Sequence, residues 1–178
     1  MTALRYDRPE PTEFAPFYAG YIAGVPDGDL LTILEQQGRD TAAVFAGLTE
    51  AHGDFAYAPG KWTIKEVLGH MGDAERVFAY RALTFARGES VPLPGFDEQA
   101  WTPASGARDR TVADLVDELA AVRRATLALL SHLPSTAPLC RGIANGREIS
   151  VRALAWIIAG HERHHLRILR ERYLSSDR

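Results

Sequence analysis

ISVRALAWIIAGHERHHLRILRERYL, residues 149–174, reads as one amphipathic helix. Ser150 is a good N-cap, since its side-chain oxygen can take up a free N–H of the first turn. A helix turns about 100° per residue. With Leu154 at zero, Ile158 falls at about 40°, His161 at about −20°, His165 at about 20° and Ile168 at about −40°. His161 and His165 therefore occupy the middle of the apolar stripe, one turn apart and projecting the same way. Burying an imidazole without a partner costs roughly 1–3 kcal/mol, and one shared metal ion would satisfy both.

Three more helical segments lie upstream, separated by Pro- and Gly-rich joints. The clearest begins at Thr63, where Thr63-Ile64-Lys65-Glu66 fits a capping box. Its apolar stripe is Val67, Met71, Ala74, Phe78 and Phe85, and Gly88 is a plausible stop. His70 sits at the edge of that stripe, about 70° from its centre. From there it can face a neighbouring helix and supply a third nitrogen. Three protein nitrogens leave coordination positions open, the pattern of a catalytic metal site and not of a closed structural one. An earlier helix starts near Asp27 or Asp29, with Leu30, Leu34, Thr41, Phe45 and Leu48 at helical spacing. A third starts near Thr111 and ends at Pro134. Four amphipathic helices predict an all-α four-helix bundle over residues 27–178.

Residues 1–26 carry Pro9, Pro11, Pro16 and Pro26 and read as an N-terminal arm, not a continuous helix. Phe14, Phe17, Tyr18 and Tyr21 predict that the arm packs on the bundle. The loop VPLPGFDEQAWTPASGARD, residues 91–109, cannot be helical throughout; Phe96 and Trp101 predict that parts of it are buried or line a pocket. Asn145-Gly146, in the linker 135–149, is a turn signal compatible with a small hairpin.

His161-Glu162-Arg163-His164-His165 also spells H-E-x-x-H, the signature of a zinc protease with Glu as general base. The longer form would need Gly at 168 and His at 171, where this chain has Ile168 and Glu171, and no strand precedes the motif. That weighs against a protease. His164, at about −80°, is on the margin of the stripe, a candidate for supporting a ligand or replacing one. Asp73 and Glu162 are candidates for carboxylates that hold a ligand histidine from behind, whereas Glu75 reads as a solvent-facing charge. His52 and His132 lie near helix ends and should be exposed. Cys140, the one cysteine, reads as an incidental buried thiol and excludes an internal disulfide.

The chain has 178 residues, 46% of them hydrophobic, enough for one domain with its own core. A net charge of −3 argues against a nucleic-acid partner, which needs a basic face. The longest apolar stretch, residues 153–160, is far short of the roughly 20 residues that span a bilayer. The first residues show no apolar run after a basic start, so a cytoplasmic location is expected.

Taken together, three stretches resemble the DinB-like (YfiT-like) family. YAPGKWTIKEVLGHMGDAERVFAYRALTFARGE, residues 57–89, is similar to that family's second helix, PLPGFDEQAW, residues 92–101, to the loop that follows, and 149–174 to its last helix. The resemblance runs from about Tyr18 to Leu174. It implies a divalent metal (zinc, nickel, iron or manganese) on three histidines, which map onto His70, His161 and His165, with water completing the coordination. It also implies a homodimer acting on a small-molecule substrate. Some relatives use a low-molecular-weight thiol, so the resemblance implies a metal-dependent transferase adding such a thiol to electrophiles in stress or detoxification. A metal-dependent hydrolase, with Glu162 or Asp73 as base, and a non-enzymatic metal- or ligand-binding stress protein are the alternatives.

Overall fold

A computed structural model describes residues 6–174. The first five residues of the arm and the last four of the chain lie outside that range. Four long helices make the bundle: α2 (Leu30–Phe45), α4 (Ile64–Ala86), α6 (Val112–Ser131) and α7 (Val151–Ile168). Three shorter ones join them: α1 (Ala19–Ala23), α3 (Glu50–Gly53) and α5 (Glu98–Ala104). Each long helix opens on a side chain that caps it. Asp29 accepts from the Thr32 N–H, Thr111 from Asp114 and Ser150 from Ala153. At α4 the capping box closes in both directions between Thr63 and Glu66. Gly88, at φ +81°, follows the end of α4, where a Cβ would be strained.

The earlier helix is shorter than its periodicity predicts. It ends at Phe45, because Gly47 takes φ +89° and turns the chain, and α3 follows as a separate turn. Leu48 is therefore in a connection. Around the bundle, α2 packs against α6 and α7, and α4 packs against the same two. Helices consecutive in the chain, α2 with α4 and α6 with α7, thus lie across the diagonals. The connection from α6 to α7 carries a hairpin, β1 (Arg141–Ala144) against β2 (Arg147–Ser150), with Arg141 opposite Ser150. Its two-residue turn has φ 51° at Asn145 and 70° at Gly146, the left-handed pair that a tight hairpin requires. The loop after α4 runs alongside: Leu93 N–H donates to Ile143 O and Asn145 N–H to Leu93 O.

The arm is folded onto the body. Tyr6 OH donates to Leu130 O at 2.8 Å, and Trp156 Nε1 to Tyr6 O at 2.9 Å. Buried Glu13 accepts from Ser150 Oγ at 2.7 Å and from the Arg152 guanidinium. At Gly160 the backbone of α1 touches α7 directly; a Cβ there would meet Tyr21 O at 2.2 Å. Small side chains are what allow two backbones to approach this closely.

The core has two apolar clusters, one at each end of the bundle. Leu30, Leu34, Phe78, Phe85, Leu130 and Leu154 belong to one, and Phe45, Leu68, Met71, Leu115, Leu166 and Leu169 to the other. Between them every long helix contributes a polar layer: Gln37 and Thr41 from α2, His70 and Glu75 from α4, Arg123 from α6, and His161 and Glu162 from α7, all buried. No helix among the described residues is long and apolar enough to cross a membrane.

Candidate metal centre

The polar layer divides at α7. His161 and Glu162 are neighbours in sequence and so point about 100° apart. Glu162 turns toward α2 and α6. It accepts from Arg123 Nη2 at 2.6 Å, from Thr41 Oγ1 at 2.5 Å and from Gln37 Nε2. Arg123 also grips Glu75 with two bonds, 2.8 and 2.7 Å, and donates to Leu34 O. Glu75 is thus buried, contrary to its reading as a surface charge: α4 is flanked by α6 and α7 and has little free face. Glu162 is spent in this network, so the H-E-x-x-H spelling has no protease geometry behind it. Asp73 pairs with Arg76 at 3.4 Å and lines a separate cavity beside Glu118. Neither candidate base is at the histidines.

His161 turns the other way, toward α4. Its Nε2 lies 3.1 Å from Nε2 of His70 and 3.1 Å from Nε2 of His165. One ligand atom from each of the three falls within 4.8 Å of the others. His70 and His161 are buried and His165 is half-buried. Burial holds His70 down at about 4 and, with His70 and His164 nearby, His165 at about 3; burial and the neighbouring histidines hold His161 well below the usual histidine range. All three imidazoles are therefore neutral at neutral pH, with lone pairs free to bind a cation.

The spacing fits an ion. Nitrogens about 2.05 Å from a common centre stand about 3.3 Å apart in a tetrahedron and about 2.9 Å apart at right angles. The observed 3.1 Å lies between the two. Three histidine nitrogens with no carboxylate or thiolate suit zinc, nickel or iron better than manganese, which favours oxygen ligands, and leave positions open.

Aromatic rings fix the triad. Trp62 packs on His70 with centroids 4.9 Å apart, Phe78 on His161 at 5.9 Å and Tyr21 on His161 at 5.6 Å. Trp62 is held in turn through its carbonyl, which accepts from Tyr173 OH at 2.8 Å. That tyrosine lies in the π-helical turn Leu169–Tyr173 after α7. The triad forms one wall of a cavity of about 250 Å³ whose other walls include Phe17, Tyr18, Tyr21, Phe96, Arg81 and Asn145, with Glu98 and Gln99 at the α5 side.

The remaining candidates fall outside the cluster. His164 is half-buried and edge-on to Tyr21, centroids 5.2 Å apart. His52 is exposed and takes part in capping α3, and His132 is exposed at the end of α6, where its ring meets Ala128 O. Cys140 is half-buried. Phe96 lines the cavity, as the aromatics of the 91–109 loop predict, while Trp101 is 48% exposed, lies outside the lining and packs on Phe96. Arg81 belongs to no motif that the sequence shows. It follows His70 by eleven residues, which returns it to within about 20° of the same helix face.

The family model of the DinB superfamily matches residues 33–169, and the chain belongs to that superfamily. Among solved structures it is similar to YfiT from Bacillus subtilis, described as a probable metal-dependent hydrolase with an unusual four-helix bundle topology. The TM-score is 0.63 at 17% identity, covering 89% of this chain and 86% of that one. That likeness concerns the fold. A comparison with curated proteins gives no match.

Proposed function

We propose that this chain is a metal-dependent transferase that holds one divalent ion on His70, His161 and His165 and joins a low-molecular-weight thiol to a small electrophile in the adjoining cavity. The observation that carries the reading is the open triad on the cavity wall beside a glutamate already committed to Arg123. Bound there, a divalent ion supplies a lowered pKa to a thiol or water that reaches it. A thiol activated in that way needs no protein base, which suits a site whose nearest sequence carboxylate faces elsewhere. In the transfer the sulfur–carbon bond forms, the bond from that carbon to the leaving group breaks, and the thiol proton passes to solvent. The chain's own part is to hold three neutral nitrogens in register and to seat the electrophile's apolar body on Tyr18, Tyr21 and Phe96.

Metal-assisted hydrolysis is the second reading, favoured by the likeness to YfiT and by Glu98, the carboxylate that lines the cavity. A homodimer working in the cytoplasm in a stress or detoxification response completes the proposal; light scattering after gel filtration tests the dimer. The deciding experiment measures metal per chain in untagged protein and in the double variant His161→Ala, His165→Ala, then turnover of a chromogenic electrophile and a chromogenic ester with and without added thiol. One ion per chain, lost in the folded variant, with electrophile consumption that requires thiol, is expected. Ester cleavage independent of thiol would replace transfer by hydrolysis. No metal after reconstitution with zinc, nickel and manganese would end both.

A further inference from the structure

Seven non-histidine charged side chains are buried among the described residues: Glu13, Lys65, Glu66, Glu75, Arg81, Arg123 and Glu162. Six have an opposite charge at ion-pair distance. Glu13 has Arg152, Lys65 has Glu50 and Asp54, Glu66 has Arg108, and Arg123 has both Glu75 and Glu162. Arg81 is the exception. It is 3% exposed, its Nη2 donates to Pro94 O at 2.8 Å, its Nε is buried with no partner, and its polar neighbour is the neutral Tyr18. A guanidinium carries five N–H donors and stays protonated in any protein setting. Burying such a charge without a counter-charge costs several kcal/mol, and that cost is recovered when an anion arrives.

Arg81 lines the same cavity as the histidine triad. Phe78 lies between them, its ring 5.9 Å from the Arg81 Cζ and 5.9 Å from the His161 ring. One side of the cavity between guanidinium and triad is therefore an aromatic wall of Tyr18, Tyr21, Phe78 and Phe96, with Glu98, Gln99 and Asn145 also in the lining. We propose that the substrate is a small organic acid whose carboxylate pairs with Arg81 while an apolar body lies along the aromatic wall and places its far end at His70, His161 and His165. Arg81 is then a specificity-determining residue. Glu98, exposed on the α5 side, sets the opposite sign at the rim and disfavours a second acidic group there. The inference rests on this cavity being the substrate site, and it is independent of what the metal does.

Calorimetry with two isosteric probes tests it, 3-phenylpropionate and its neutral amide, on metal-free and zinc-supplied protein. The wild type is expected to bind the acid about tenfold or more tightly than the amide in both states, as a charge-assisted pairing implies. In Arg81→Met the preference should collapse while amide affinity and zinc content hold; Arg81→Lys should keep part of it. Equal binding of the two probes by wild type overturns the proposal, and needs no variant to fold. So does binding of neither at millimolar concentration, or a preference for the acid that survives in Arg81→Met; survival in the zinc-supplied protein alone would place the carboxylate on the zinc. Loss of zinc binding with the acid preference intact would remove the metal reading and leave the role of Arg81 standing.

Discussion

Replacing Arg123 by Met removes the cation that holds two buried carboxylates. Its guanidinium makes four hydrogen bonds, two to Glu75, one to Glu162 and one to Leu34 O, and all three charged side chains are at most 5% exposed. Methionine fills much of the volume but offers no donor. Removing one partner of a buried ion pair costs about 3–5 kcal/mol, because the other is left charged and unpaired. Here two carboxylates are left, so the upper part of that range applies. At about 2–4 °C per kcal/mol for a domain of this size, the melting midpoint should fall by roughly 10–15 °C. Urea unfolding followed by circular dichroism measures the loss directly. The companion triple variant, Arg123→Met with Glu75→Leu and Glu162→Met, removes all three charges and should regain most of it. An Arg123→Met protein within about 1 kcal/mol of wild type would refute the account of this layer. So would a triple variant less stable than the single one.

Glu162→Gln separates structure from chemistry: zinc content and any turnover should stay within a few-fold of wild type while stability drops by about 1–3 kcal/mol, whereas a catalytic base would lose turnover and keep stability. Gly160→Val drives a side chain into the Tyr21 carbonyl; overpacking of about 1–3 kcal/mol is expected, with α1 displaced and Tyr21 fluorescence or NMR shifts changed at His161. Burial alone would raise the Glu13 carboxyl, but bonds from Arg152, Ser150 and the Glu10 N–H hold it down at about 2. Its folded value lies below its unfolded one, so its contribution, up to about 3 kcal/mol, is complete at neutral pH. It is lost as pH falls from about 4.5 toward 2. Glu13→Gln should flatten that limb of a stability-versus-pH curve, and an unchanged limb would show that the arm does not depend on this ion pair.

Much of the bundle was legible because capping is a local signal. Thr63, Thr111 and Ser150 each start a helix where their side chains can reach an N–H three residues on, and no distant contact is needed to see it. The pairing of His161 with His165 follows from helical pitch alone. What was not legible depends on which helix lies beside which. His70 sat at the edge of one stripe because a single stripe describes a helix with one buried face, and α4 has two. Glu162 could be read as a base only while the direction of α2 and α6 was unknown. Arg81 gave no local sign of burial, since arginine is ordinarily a surface residue. The diagonal order of helices, and the wedge of α1 against Gly160, are properties of the assembled chain.

The two histidines that meet at 3.1 Å, His70 and His161, are separated by ninety-one residues. During synthesis, at about 5–20 residues per second, His70 waits several seconds or more for its counterpart to be made. Two of the three nitrogens belong to α7, which is translated after the other three long helices of the bundle. No partial chain ending before α7 brings the three nitrogens together, so on the proposed function any loading would follow the completion of the bundle and could not guide its early stages. An ion held there as proposed would join α4 to α7 and close a loop of about ninety residues, a cross-link whose entropic effect on the unfolded chain is on the order of 4–5 kcal/mol if treated like a disulfide of that span.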